Sequence, residues 1–288
     1  MSAGAKRVTV TTHRRPDEIR TALAALREAA LAAGATLRFD AEETAKLGLE
    51  PAEGLKLNAP LDPNADLCIV LGGDGTILRA LGEHVDTEVP IFAVNYGEVG
   101  FLATIDPEPE RLRADFERAL AGEFEVMRMP GLEISGAGIT VIALNDASMA
   151  RKPGLRVADI AYASGDDEIG NVRCDGIVVA TPAGSTGYNL ANGGPVMAWG
   201  VEGMVVSFVA PHSLTARTLV VAPGDVLTVS NRSPEEHVDL FVDGRPVAEA
   251  GPGKSIDIQF TDDRARLAQL PGATFYHRLR EKFGRMAS

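Results

Sequence analysis

Two cysteines, Cys68 and Cys174, are all that the 288 residues contain, and they stand far apart, each beside an apolar strand-like stretch. A free cysteine in such a setting packs as a small hydrophobe, so both are expected as buried, reduced thiols. Two cysteines cannot build a structural zinc site without histidines. The five histidines (His13, His84, His212, His237, His277) lack ligand spacing of the H-x-x-x-H kind, and no zinc is expected. Positive charge is also scarce: 28 Lys and Arg stand against 40 Asp and Glu, a net charge of −12 with a pI near 4.9. That balance excludes a non-specific binder of nucleic acid or of membrane surfaces. No apolar run approaches the roughly 18 to 20 residues that cross a bilayer. The N-terminus leads into a short Val-Thr-Val strand and not into a secretory apolar stretch, so the cytoplasm is the expected location. What is present is an ordinary globular mixture, 45% hydrophobic and 24% charged, which excludes disorder as the main state and allows one large or two ordinary domains.

Residues 1–122 read as alternating strands and helices. A Val-Thr-Val strand precedes residues 16–33, where Ile19, Leu23, Leu26 and Ala30 recur at helical spacing and Gly34 is a natural C-cap. The apolar run 66–71 ends in Gly72-Gly73. A helix-compatible segment 77–81 follows, then a strand at 89–94 and a helix over 107–121 with Leu112, Phe116 and Leu120 on one face. This βαβ rhythm predicts a parallel sheet covered by helices. Residues 41–65 look like a long loop. From residue 123 to 271 the pattern becomes short strands at 138–143, 157–163, 176–180, 205–209, 219–221, 226–229, 238–242 and 256–260. Turn signals every 8 to 12 residues there predict an antiparallel β domain of sandwich type. A last helical stripe, Phe275, Leu279 and Phe283, is expected to return residues 272–288 to the first domain.

Three segments imitate known motifs. Ala248-Glu-Ala-Gly-Pro-Gly-Lys-Ser255 resembles a P-loop but begins with Ala where Gly is needed and runs into an alternating strand, so a hairpin turn is expected. Pro182-Ala-Gly-Ser-Thr-Gly187 hints at a nucleophile elbow, yet Ala183 stands two before Ser185. Gly73-x-Gly75-x-x-Leu78 lacks the third glycine of a dinucleotide fingerprint.

Gly72-Gly73-Asp74-Gly75-Thr76 carries more. It lies directly between a strand and a helix, where glycines let backbone N–H groups approach an anion and the helix adds its positive end. Gly72, Gly73, Gly75 and Thr76 are therefore candidates for holding phosphate, with Arg79 as a local cation. A carboxylate in such a cradle repels phosphate unless it binds Mg²⁺ or contacts the hydroxyl being phosphorylated. Asp74 is the candidate catalytic residue on that ground, and a plain helix cap is the alternative.

These residues and four further blocks resemble the NAD kinases. Asn95-Tyr-Gly-Glu-Val-Gly-Phe-Leu102 is similar to a family segment, and Asn145-Asp146 stands where the family usually has Asn-Glu. The block 175–195, Asp-Gly-Ile-Val-Val-Ala-Thr-Pro-Ala-Gly-Ser-Thr-Gly-Tyr-Asn-Leu-Ala-Asn-Gly-Gly-Pro, resembles its longest motif. Pro211-His-Ser-Leu-Thr-Ala-Arg217 and Val242-Asp-Gly244 match later blocks. Gly-Gly-Asp-Gly-Thr alone is shared with lipid kinases and phosphofructokinases; the long block separates them. Its bland reading is a glycine-rich sheet corner with Tyr188 in the core. Gly187 replaces the family's usual Ala, Asp146 its Glu, and Arg245 stands where many members have Gln. Arg245 either touches a phosphate or is a surface residue of a hairpin.

The resemblance implies transfer of the γ-phosphoryl group of ATP, with Mg²⁺, to the 2′-hydroxyl of the adenosine ribose of NAD. It implies that Asn145 and Asp146 hold ribose hydroxyls, that Phe101, Thr186 and Tyr188 surround the adenine, and that Arg173, Asp175 and Ala210 line the nicotinamide half. Gly75, Gly187, Asn189, Leu190, Ala191 and Arg245 complete the expected NAD contacts. Mg²⁺ is expected to arrive with ATP, with Asp74 as its possible protein contact, and no metal is fixed by the protein alone. A homodimer or homotetramer is implied. The alternatives are a lipid or sugar kinase with the same phosphate loop and a non-catalytic NAD(P)-binding regulator.

Overall fold

The structure, a computed structural model, describes residues 4–13, 15–271 and 274–284. Residues 272, 273 and 285–288 of the expected returning tail lie outside the described residues. The chain divides into two compact units, Met1–Arg128 with Ala265–Ser288, and Met129–Arg264.

In the first unit, strands β1 (Arg7–Thr12), β2 (Thr36–Arg38), β3 (Leu55–Lys56), β4 (Leu67–Gly72) and β5 (Pro90–Asn95) alternate with helices α1 (Arg20–Ala33), α2 (Ala41–Leu47), α3 (Asp74–Glu83) and α4 (Leu112–Ala121). The order across the sheet is β3-β2-β1-β4-β5, and every pairing is parallel. Leu67, Cys68, Ile69, Val70 and Leu71 are buried without alternation, as a central strand covered on both faces requires. Val10, Leu26, Leu37, Ile69, Phe92 and Phe116 form the core. The loops leaving the C-terminal ends of β4 and β5 carry Gly72-Gly73-Asp74-Gly75-Thr76 and 95–102, the edge at which open parallel sheets bind ligands.

Two expectations need correction here. Residues 41–65 are not one long loop: Asp40 caps α2 by accepting the N–H of Glu43 at 2.7 Å, and β3 follows. Asp40 with Glu43 three residues on is a helix-start pattern that the scarcity of apolar residues conceals. The helix expected over 107–121 begins only at Leu112, because Pro107 and Pro109 hold the residues before them out of the helical region.

The second unit contains most of β6 (Glu125–Gly136), then β7 (Ile139–Ala143), β8 (Asp146–Arg151), β9 (Ala158–Ser164), β10 (Asp167–Cys174), β11 (Gly176–Ala180), the short helix α5 (Tyr188–Ala191), β12 (Met204–Val209), β13 (Leu219–Val221), β14 (Val226–Asn231), β15 (Val238–Val242), β16 (Arg245–Ala250) and the start of β17 (Ser255–Gln269). Antiparallel pairing arranges one sheet as β13-β12-β11-β8-β15-β16 and another as β10-β9-β14-β17, with β6 and β7 attached. Met149, Ile177, Val179 and Leu240 of one sheet and Ile160, Leu227, Ile256 and Ile258 of the other share a core, which makes the unit a β-sandwich. The segment resembling a P-loop is a turn, but not a hairpin. It connects β16, paired with β15, to β17, paired with β14 in the other sheet. The buried Asn231 pins this crossover by donating to the carbonyls of Ala250 and Glu236 at 3.0 and 2.8 Å.

β17 ends in the first unit, where Arg266 and Leu267 pair parallel with Pro90 and Ile91. The terminal helix α6 (Phe275–Phe283) follows, capped by Thr274, whose side chain accepts the N–H of His277. Phe101 meets the rings of Phe275 and Phe283 at centroid distances of 5.9 Å each. The helix therefore belongs to the α/β unit, as its apolar stripe predicts.

Candidate active site

The glycine-rich loop expected to hold phosphate lies in the first unit. Gly73 precedes α3, and Asp74 is its first residue, so the N–H groups of the opening turn are left without intrahelical partners. The loop backbone packs directly on the next block. A Cβ on Gly73 would stand 2.8 Å from the Cα of Gly97, closer than real carbon atoms approach, so glycine is dictated by packing as well as by anion access.

Asp74 is not the N-cap, since Gly73 holds that position without a side-chain cap. Its carboxylate reaches across to the block 95–102, where Oδ2 accepts the N–H of Phe101 at 3.0 Å and Oδ1 that of Leu102 at 2.8 Å. One donor on each oxygen fixes the carboxylate in orientation and leaves further lone pairs for a hydroxyl or a metal-bound water.

Arg79 is placed differently from expectation. Its guanidinium lies 3.0 Å from the buried Glu43 and 3.4 Å from Glu42, with Glu83 at 3.9 Å. Glu43 also accepts from Thr12 and from Lys46, the latter at 2.7 Å. A phosphate would have to compete with these carboxylates for Arg79, whose buried Nε has no hydrogen-bond partner. Phe101 is likewise buried among the aromatic rings of α6, so its ring is not a surface on which a base could stack.

The second unit presents another constellation. Asp243 occupies the two-residue turn between β15 and β16, where Asp243 and Gly244 both have positive φ, 48° and 74°, the geometry of a tight hairpin. From there its carboxylate accepts the N–H groups of Leu144, Asn145 and Asp146 at 3.0, 2.7 and 3.1 Å. Its own N–H donates to the Asp146 carbonyl at 2.8 Å. This lock fixes Asn145 and Asp146, and it leaves the buried Oδ1 of Asn145 without a hydrogen-bond partner. An unpaired buried acceptor costs about 1 to 3 kcal/mol, which a ligand hydroxyl would relieve.

The carboxyl of Asp146 is pushed up to about 7, first by burial and then by the neighbouring Asp243. Burial raises Asp243 as well, but three N–H donors and Arg245 act against that. Asp243 therefore gives up its proton first, and Asp146 retains one into the neutral range.

The long block packs against the same pair. A Cβ on Gly184 would lie 2.0 Å from the Asn145 carbonyl oxygen, and Thr181 donates its N–H to that oxygen at 2.8 Å and its hydroxyl to Leu144 at 2.7 Å. Ser185 is fully buried and donates to the Pro182 carbonyl while accepting the Met197 N–H, a structural role. Asn189 is also fully buried and donates to the carbonyls of Ser185 and Pro195. It shapes the block from inside, and its buried Oδ1 has no hydrogen-bond partner. Gly187, Tyr188 and Ala191 are exposed, while Thr186 and Leu190 are half-buried. Tyr188 is therefore not the core residue of the bland reading. Asp175 is gripped by the fork of Arg151, with one N–O distance of 3.2 Å, and that hydrogen bond holds its carboxyl below the usual range. Arg173, Ala210 and Arg245 are exposed, and Ala210 has a positive φ of 44°, a strained conformation for a residue with a Cβ.

Among the described residues, no three His, Cys, Asp or Glu side chains cluster as a metal cage. The donor set offered by the phosphate loop is the single carboxylate of Asp74, which fits Mg²⁺ carried on phosphates with most of its waters retained. Both thiols are buried, and burial pushes each up to about 12. Among the described residues no helix is long and apolar enough to cross a membrane. Sequence reasoning did not assign roles to Asp243, Glu43 or Arg278. The Val-Asp-Gly turn could have pointed to Asp243; a buried arginine on a short terminal helix leaves no signal.

A glycine-rich strand-to-helix loop on a parallel sheet in one unit, and an exposed tyrosine with a locked Asn-Asp pair in the other, are features suited to a nucleotide-dependent phosphotransferase. The models of the ATP-NAD kinase N-terminal and C-terminal domains match residues 21–124 and 144–270. The chain is 34% identical to the NAD kinase of Symbiobacterium thermophilum over 258 residues, covering 85% of this chain and 90% of that protein. Among solved structures, an NAD kinase from Archaeoglobus fulgidus in complex with ATP superposes with a TM-score of 0.74 at 27% identity, covering 96% of this chain and 97% of that one. Yeast NADH kinase complexed with NADH shares the fold, with a TM-score of 0.87 at 20% identity over 99% of this chain and 89% of that one. The chain belongs to the NAD kinase family and is an NAD kinase; the lipid or sugar kinase alternative is not favoured.

Proposed function

We propose that the chain uses ATP with Mg²⁺ to phosphorylate the 2′-hydroxyl of the adenosine ribose of NAD, with Asp74 as the residue that orients that hydroxyl and receives its proton. The observation that carries this reading is the carboxylate of Asp74, fixed by two N–H donors at the start of a helix whose opening N–H groups suit phosphate. As the oxygen-to-γ-phosphorus bond forms, the bond from the γ-phosphorus to the bridging oxygen breaks, the hydroxyl proton passes to Asp74, and ADP leaves. General base assistance of this kind supplies roughly 10² to 10⁴-fold; in a loose transition state positioning takes a larger share. Mg²⁺ bound on the phosphates neutralises their charge.

Gly72, Gly73, Gly75 and Thr76 cradle phosphate in this reading. The unpartnered Oδ1 of Asn145 and the carboxyl of Asp146 take ribose hydroxyls, Tyr188 and Thr186 face the adenine, and Arg173, Asp175 and Ala210 serve the nicotinamide half. Arg245 tunes Asp243 from the hairpin. The reading further includes a homodimer or homotetramer, open to light scattering, and work in the cytoplasm, where both thiols stay reduced.

The test is incubation with Mg²⁺-ATP and NAD, read by an NADP-specific dehydrogenase, for the wild type and for Asp74→Asn. NADP formation is expected, with turnover at least about 100-fold lower in the variant. Asparagine has one side-chain oxygen and loses one of the two N–H bonds, so a stability loss of about 1 to 3 kcal/mol accompanies it. Near-normal turnover by a folded Asp74→Asn would overturn the assignment.

A further inference from the structure

Arg278 lies on the buried face of α6, and the mechanism above does not use it. Its Nη1 donates to the carbonyl oxygen of Phe101 at 2.9 Å and to that of Ala103, and its Nη2 donates to Oε1 of Gln269 at 2.8 Å. The carbonyl of Phe101 and the N–H of Leu102 belong to one planar peptide unit. That unit has its oxygen on Arg278 and donates its N–H to Asp74, with the nitrogen 2.8 Å from Oδ1. A hydrogen bond accepted by a peptide oxygen polarises the opposite N–H, and the rigid plane transmits position as well. Arg278 also feels the negative charge of Asp74 directly.

A second path runs from the same helix to the same loop. Lys282 pairs with Asp106 at 2.9 Å, Asp106 accepts from Nδ2 of Asn95 at 2.8 Å, and Oδ1 of Asn95 accepts the N–H of Gly97. Gly97 is the residue against which Gly73 packs.

We infer that Arg278 is a positioning residue for phosphoryl transfer, acting on Asp74 through the Phe101–Leu102 peptide. The inference rests on the role given to Asp74 above. Lysine cannot replace it, because a point charge does not span two carbonyls and an amide as a planar fork does. The terminal helix then serves catalysis through this one side chain, apart from the stability that its apolar docking supplies.

A double-mutant cycle tests this. Turnover with saturating Mg²⁺-ATP and NAD is measured for wild type, Arg278→Met, Asp74→Asn and the double variant, with Arg278→Lys as the version that preserves charge and Phe283→Leu as a variant that trims the ring contact with Phe101 and removes none of the Arg278 hydrogen-bond partners. Misplacement of a reacting group by about 1 Å costs on the order of 10²-fold. Arg278→Met and Arg278→Lys are therefore expected to lose about 10 to 100-fold in kcat in the wild-type background and under about 3-fold when Asp74 is already Asn, while KM for NAD moves little. Phe283→Leu should lower the melting temperature and retain most of kcat. Equal losses in both backgrounds, an unchanged kcat in a folded Arg278→Lys, or a kcat loss in Phe283→Leu as large as that of Arg278→Met would each overturn the inference. If Arg278→Met does not fold, Arg278→Lys carries the cycle alone. Normal activity of Asp74→Asn would refute the role of Asp74 itself, an outcome separate from these.

Discussion

Replacing Asp146 by asparagine should stabilise the β unit, and more so as pH rises. The carboxyl is 8% exposed and lies beside Asp243, which takes the three available N–H donors. In the unfolded chain Asp146 titrates near 3.8, and in the folded chain near 7. A carboxyl raised on folding binds its proton more tightly in the native state. Its contribution is fully present below 3.8 and is lost as pH rises through about 7. At about 1.4 kcal/mol per pH unit, the penalty reaches about 4 kcal/mol at alkaline pH, and roughly 2 kcal/mol of it develops between about pH 5.5 and pH 8.5. Asparagine keeps the shape of the protonated acid and cannot ionise. The single tryptophan, Trp199, lies in the same unit, so urea unfolding followed by its fluorescence reports on the right part of the molecule. The stability advantage of Asp146→Asn over wild type should grow by about 2 kcal/mol across that pH interval, while NAD affinity falls. Parallel pH profiles for the two proteins would refute the reasoning, because they would mean that Asp146 is ionised throughout.

Two further outcomes follow from packing. Gly184→Ala places a methyl group 2.0 Å from the Asn145 carbonyl oxygen and should cost at least about 1 to 3 kcal/mol of stability, seen as a lower melting temperature together with a raised KM for NAD; an unchanged melting curve would contradict the close packing. Cys68 and Cys174, both buried and pushed up to about 12, should resist a disulfide reagent such as DTNB at neutral pH until urea unfolds the chain, and rapid labelling of the native protein would show that one of them is accessible.

Elements with strong periodicity were legible in the sequence. The apolar run of β4, the stripe of α4 at Leu112, Phe116 and Leu120, and the aromatic stripe of α6 each state their burial through spacing, and all three pack as that spacing requires. Among the strands of the β unit, four were not legible: β6, β8, β10 and β16. Asp-Ala-Ser-Met-Ala-Arg in β8 has no β-branched residue, Arg-Pro-Val-Ala-Glu-Ala in β16 carries a proline at its second position, β6 contains Pro130-Gly131, and β10 has charged or polar side chains at Asp167, Glu168, Asn171 and Arg173. These strands exist because β11 and β15 offer paired edges to β8, β15 to β16, β9 to β10 and β7 to β6. Strand preference is mostly a matter of such neighbours, which a local window does not contain.

The site shows the same division between what a residue type announces and what its surroundings decide. Asp74 is chemically conspicuous because a carboxylate among glycines conflicts with phosphate, and that conflict marks it without any structure. Its two hydrogen-bond donors come from residues 101 and 102, however, and nothing local to residues 72–76 foretells them. Arg79 shows the reverse: a cation one turn into the helix after the glycine loop suggests an anion ligand, while the acids paired with it include Glu42 and Glu43 from a helix the sequence concealed. The family resemblance implies Phe101 beside the adenine, and the aromatic surface against its ring here comes from residues 275 and 283. In each case sequence supplied the chemical group and tertiary contact supplied its partner. The role of a charged or aromatic side chain in this enzyme therefore depends on which distant segment reaches it, and α6, which reaches Phe101, Ala103 and Asp106 together, is the segment whose contacts bear most directly on the block that holds Asp74.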